Sequence, residues 1–131
     1  MTSVAISAED SPVERVATIL VVDDDPLVAM CAIDMVEDIG HRAIEVHSAR
    51  QALEVLRTAQ TVDVLMTDQT MPGMTGLELA QLAQELRPEL PILLVTGHGD
   101  FVGGETTGLP RLSKPYHQTQ LEAELARLLS R

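Results

Sequence analysis

The residues of this chain best suited to chemistry stand where short apolar runs end. Ile19-Leu20-Val21-Val22 gives way to Asp23, Asp24 and Asp25, and Val64-Leu65-Met66 to Thr67 and Asp68. Ile92-Leu93-Leu94-Val95 gives way to Thr96, and a weak fifth run near Leu112 to Lys114 and Pro115. In an open parallel sheet, ligands bind outside the carboxyl ends of the strands. Asp23, Asp24 and Asp68 gathered at one rim would repel by roughly 4 kcal/mol per pair at 4 Å and an effective dielectric near 20, so a positive group must sit among them. Carboxylate, carbonyl and water oxygens suit a hard cation such as Mg²⁺ or Mn²⁺. No His or Cys shares the motif, which points away from Zn²⁺. Lys114 adds a point charge suited to phosphate oxygens, and Thr96 a hydroxyl donor.

The elements that must position these residues follow from the pattern between them. From Thr18 onward, β-branched apolar runs alternate with longer helical segments, the mark of repeated βα units around a parallel sheet. Runs one, three and four are apolar throughout, as strands covered on both faces must be. Glu45 interrupts the second run, Ala43-Ile44-Glu45-Val46, which predicts an edge strand. Four helices are signalled by caps: Asp25 before Pro26, Ser48 with Gln51, Thr75 with Glu78, and Thr119 with Glu122. In the last, Leu121, Leu125, Leu128 and Leu129 recur along one stripe that should face the sheet. Between the fourth and fifth strands, the stretch from Gly97 to Pro110 contains Gly97, Gly99, Gly103, Gly104 and Gly108 and no apolar periodicity. It predicts a mobile loop where a crossover helix would be usual. Residues 1 to 17 lack sustained periodicity and read as a tail or linker, leaving 18 to 131 as the single folded domain.

Composition narrows the partners. With 131 residues, 45% hydrophobic and 22% charged, one core suffices. A formal net charge of -11 repels phosphate backbones and anionic lipid heads, and one Tyr and one Phe leave no stacking platform, so neither nucleic acid nor membrane is an expected partner. One cysteine, no signal segment and no apolar run of about 18 residues make the cytoplasm the expected compartment.

Taken together, Ile19-Leu-Val-Val-Asp-Asp-Asp-Pro26, Val62-Asp-Val-Leu-Met-Thr-Asp68, Met71-Pro-Gly-Met-Thr-Gly-Leu77, Val95-Thr-Gly97 and Lys114-Pro115 resemble the receiver domains of two-component response regulators. The likeness runs from about residue 18 to 130. It implies a flavodoxin-like, doubly wound, five-stranded parallel sheet of order 2-1-3-4-5, with the fourth crossover helix reduced or replaced by the glycine-rich loop. It implies that Asp68 accepts a phosphoryl group from a histidine kinase or a histidine phosphotransfer protein in a Mg²⁺-dependent reaction and switches protein contacts. Asp24 would bind the metal directly, Asp23 largely through water, and the Thr70 carbonyl would complete the protein's share. Thr96 would turn its hydroxyl onto the phosphoryl group and Lys114 would pair with it. A cis Lys114-Pro115 peptide is implied as well.

Blander roles are expected elsewhere. Asp25 serves as an N-cap, Met71 and Met74 pack a loop, Cys31 is a buried small hydrophobe, and His41, His47, His98 and His117 are surface or loop residues. Arg111 stands three residues before Lys114, where the family often has Tyr or Phe, so an aromatic rotamer switch is not expected. Instead the 97 to 110 loop should order on phosphorylation, with Arg111 facing away from the phosphate. A haloacid-dehalogenase-type phosphatase would need a second Asp two residues after the nucleophile, and Thr70 stands there. A pseudo-receiver would lack an acidic or lysine position, and none is missing. With no DNA-binding output domain before Arg131, output is expected through protein contacts. A stand-alone regulator, a phosphate sink in a relay and a domain of a longer kinase all remain open.

Overall fold

The computed structural model describes residues 16–97 and 108–130. The described residues form strands β1 (Thr18–Val22), β2 (Arg42–Val46), β3 (Val64–Asp68), β4 (Ile92–Thr96) and β5 (Arg111–Ser113). Helices α1 (Pro26–Ile39), α2 (Ala49–Leu56), α3 (Gly76–Leu86) and α4 (Gln118–Leu129) connect or follow them. Every strand pairing is parallel and the sheet order is β2-β1-β3-β4-β5, the doubly wound flavodoxin-like arrangement. Both the reduced crossover helix and the mobile loop expected after Gly97 fall largely on residues 98–107, outside the described residues, as does His98.

Alternation along the strands builds two cores. Ile19, Val21, Val64, Met66, Leu93 and Val95 point to one side and pack with α1 and α4. Leu20, Val22, Leu65 and Ile92 point to the other and pack with α2 and α3. β3 and β4 are buried along their whole length, whereas β2 has exposed Arg42 and Glu45, as an edge strand should. Leu121, Leu125 and Leu128 of α4 are buried and Leu129 packs beside them, which is the expected stripe.

Three of the predicted caps are present. The Asp25 carboxylate accepts from the Leu27 and Val28 amides, and Ser48 Oγ from the Gln51 amide. Thr75 and Glu78 cap each other reciprocally, at 3.1 and 3.0 Å. The fourth differs: α4 starts at Gln118 with His117 as N-cap, and Gln120 Oε1, not Glu122, accepts from the cap's own amide at 2.7 Å. Gln120 stands in the capping-box position three residues after His117, so the N-cap lies two residues before the Thr119 expected from the sequence. The Lys114-Pro115 peptide is cis.

Two side chains depart from expectation. His41 is buried at 6% exposure, and its Nδ1 accepts from the Ala17 amide at 3.0 Å, because the N–H entering β1 needs an acceptor away from water. Cys31 is exposed: the buried line of α1 runs Ala29, Ala32, Val36 and Ile39, and Cys31 lies on its flank, beside an open cleft. His47 and His117 are exposed, and Met71 is buried with Met74 packed against the same core.

Candidate functional site

Parallel strands deliver their carboxyl ends to one edge, and the expected polar residues meet there. Asp23 follows β1 directly and is only 5% exposed. Its amide donates to the Val46 carbonyl at 3.2 Å, extending the β1–β2 pairing by one step. Its Oδ1 accepts from the Asp25 amide at 2.9 Å, an Asx-type turn that uses one carboxylate oxygen and leaves Oδ2 facing the rim. Asp68 closes β3 and is likewise buried. Asp24, beside Asp23, is exposed.

Oxygens of Asp23, Asp24 and Asp68 all lie within 4.8 Å of one another. Lys114 Nζ reaches in from the end of β5, 3.2 Å from Asp68 Oδ1 and 3.5 Å from Asp23 Oδ2. The backbone aims it: the Lys114 amide donates to the Thr96 carbonyl at 2.8 Å, tying the end of β5 to the end of β4. Burial works against the charged Lys114, but the Asp68 and Asp23 carboxylates outweigh it and raise its pKa above 10.5. Three carboxylates still face one ammonium, so negative charge is in excess. A donor set of hard oxygens with surplus negative charge fits Mg²⁺ or Mn²⁺.

The other expected site residues take neighbouring positions. Thr96 is buried at the end of β4, in register with Ser113. Thr70 is exposed, two residues past Asp68 in the loop to α3. Arg111 is exposed, alternating with buried Leu112.

Two residues at the site escape sequence reasoning. Gln69, next to Asp68, is buried and fastens the loop to α3. Tyr116 closes one wall of a cleft of about 540 Å³ that leads from Asp23, Asp68 and Lys114 down beside α1, past Val28 and Cys31. The signal for Tyr116 was its place two residues after Lys114. Gln69 offered no signal, since its side-chain oxygen serves a backbone amide eight residues further on.

Burial, with smaller contributions from Asp23, Cys31 and Asp68, pushes the Tyr116 phenol from 10.0 up to about 12. A folded value above the unfolded one gives stability that is complete below pH 10 and is lost as pH rises toward about 12. Lys114 acts in the same sense above 10.5. Because the chain has one tyrosine, its ultraviolet phenolate band reports Tyr116 alone. The folded protein should titrate near 12 instead of 10, and Tyr116→Phe should make stability less steep across that interval. A midpoint near 10 would show the phenol to be solvated.

No helix among the described residues is long and apolar enough to cross a membrane. The chain is 38% identical over 63 residues to the response regulator receiver protein CpdR of Brucella abortus, covering 45% of this chain and 52% of that protein. It is 33% identical over 88 residues to the response regulator protein TodT of Pseudomonas putida F1, covering 67% and 38%. The chain thus spans about half the length of the first of these relatives and less of the second. Its fold superposes with a TM-score of 0.79 on the crystal structure of a response regulator receiver protein from Sinorhizobium medicae, 26% identical, covering 88% of this chain and 96% of that one. Residues 19–126 match the model of the response regulator receiver domain, and the chain belongs to that family.

Proposed function

We propose that Asp68 is the phosphoacceptor of a two-component system, taking its phosphoryl group from the phosphohistidine of a histidine kinase or histidine phosphotransfer protein. The observation that carries this reading is the Lys114 ammonium 3.2 Å from Asp68 Oδ1, beside carboxylates of Asp23, Asp24 and Asp68 whose oxygens lie within 4.8 Å of one another. A P–O bond forms on an Asp68 oxygen as the P–N bond to the imidazole breaks, and the bonding pair returns to the ring nitrogen. Phosphoryl transfer asks chiefly for placement and charge neutralisation. Lys114, held between Asp23 and Asp68, supplies the protein's own positive charge, and the Thr96 hydroxyl donates to a phosphoryl oxygen. Asp23, Asp24, Asp68 and the Thr70 carbonyl would hold Mg²⁺ or Mn²⁺, which when bound adds further neutralisation of the incoming anion.

Thr70, two residues beyond Asp68, supplies no second carboxylate for acid–base turnover, which favours a signalling role over a phosphatase. The domain would work in the cytoplasm, and phosphorylation would change which proteins it contacts. Incubation with acetyl phosphate and Mg²⁺ should add one phosphoryl group, seen by intact mass, and a chelator should stop the reaction because the carboxylates again repel the anion. Equal labelling with and without chelator would count against this reading.

A further inference from the structure

Gln69 immediately follows Asp68 and is 5% exposed, yet phosphotransfer as proposed does not use it. Its amide donates to the Val95 carbonyl at 2.9 Å, carrying the β3–β4 pairing one residue past the strand. Its carbonyl accepts from the Gly76 amide at 2.9 Å, and its side-chain Oε1 from the Leu77 amide at 2.9 Å. Gly76 and Leu77 open α3, where the first amides have no partner within the helix. Thr75 Oγ1 takes the next amide, that of Glu78. Gln69 thus satisfies two of the first three amides of α3 and closes the loop of residues 70 to 75 on itself. That loop begins with Thr70.

We infer that Gln69 is a positioning residue: by clamping the first turn of α3 to the end of β3, it fixes where the Thr70 main chain lies relative to the Asp68 carboxylate. It thereby sets the affinity of the site for its divalent cation. The inference rests on the reading in which Asp68 and Thr70 both face that cation. Without the Oε1 acceptor the Leu77 amide loses its tie to the end of β3, and the first turn of α3, with the loop that leads into it, is placed less tightly relative to the carboxylate.

The test uses the full chain, Mg²⁺ binding by calorimetry, the exchange rate of the Leu77 amide, and acetyl phosphate labelling as a function of Mg²⁺. Gln69→Met keeps length and loses the acceptor. Its Mg²⁺ dissociation constant should rise about tenfold, as when support behind metal ligands is removed. Its Leu77 amide should exchange faster, and its labelling rate should recover at saturating Mg²⁺. Gln69→Asn, polar but one methylene short, should behave likewise and stands in if the Met variant fails to fold. Gln69→Glu keeps an acceptor of the same reach and should bind Mg²⁺ no more weakly than wild type. A loss of stability alone would lower the melting temperature without moving the Mg²⁺ requirement. Unchanged Mg²⁺ affinity in the Met and Asn variants would overturn the inference, whether or not Leu77 opens. A wild type that binds no Mg²⁺ would sink the phosphoacceptor reading itself.

Discussion

Asp68→Asn is expected to reduce labelling by acetyl phosphate below detection while leaving the protein folded and, without divalent cation, no less stable than wild type. An amide oxygen lacks the anionic pair that attacks phosphorus, and no other carboxylate ends the central strand β3 opposite Asp23 and Asp24. The stability half of the expectation comes from the same electrostatics. Three carboxylates have oxygens within 4.8 Å of one another, so removing one charge relieves repulsion that reaches roughly 4 kcal/mol per pair at 4 Å. Lys114 loses an ionic partner at 3.2 Å but keeps Asp23 at 3.5 Å and gains the Asn carbonyl as acceptor. Intact mass with and without acetyl phosphate, and thermal unfolding in chelator, measure the two halves. Labelling at the wild-type rate would move the phosphoacceptor elsewhere. Lost labelling with a much lower melting temperature would attribute the loss to misfolding.

How much of this was legible in the sequence depends on the range of the interaction. Strand identity, the edge position of β2 and the caps at Asp25, Ser48 and Thr75 are set within a few residues by periodicity and amide satisfaction, and sequence reasoning found them. Asp23, Asp24, Asp68 and Lys114 were found together for a topological reason: a parallel sheet collects its strand ends, so distant residues become predictable neighbours. Pairings that obey neither rule stayed hidden. His41 meets the Ala17 amide across 24 residues of sequence, and nothing local marks the histidine as an acceptor. Cys31 looked buried because α1 is apolar, yet how many residues of a helix face are covered depends on what lies opposite, and there the Tyr116 wall leaves a cleft. Gln69 is the sharpest case, since a lone glutamine after a strand reads as solvated until α3 is placed above it.

Gly76 carries that placement. An added Cβ would stand 2.3 Å from the Asp68 carbonyl oxygen and 2.8 Å from Leu94 Cδ1. The leucine methyl can rotate away, but the carbonyl belongs to a strand paired on both sides and cannot move without disturbing β1 or β4. Gly76→Ala therefore forces α3 outward and strains the two amide bonds to Gln69. Helix propensity alone would favour alanine by less than about 1 kcal/mol, so the sign of the measured change separates the two effects. Overpacking against backbone should dominate and destabilise the domain by about 2–3 kcal/mol, a fall in melting temperature of roughly 6–15 °C for a chain of this size. Because the displaced turn leads directly into the loop carrying Thr70, Mg²⁺ binding should weaken in the same variant at temperatures where it remains folded. Wild-type or higher stability in Gly76→Ala would mean that α3 can slide away from β3 freely, and the close contact with Asp68 would then have no part in shaping the site.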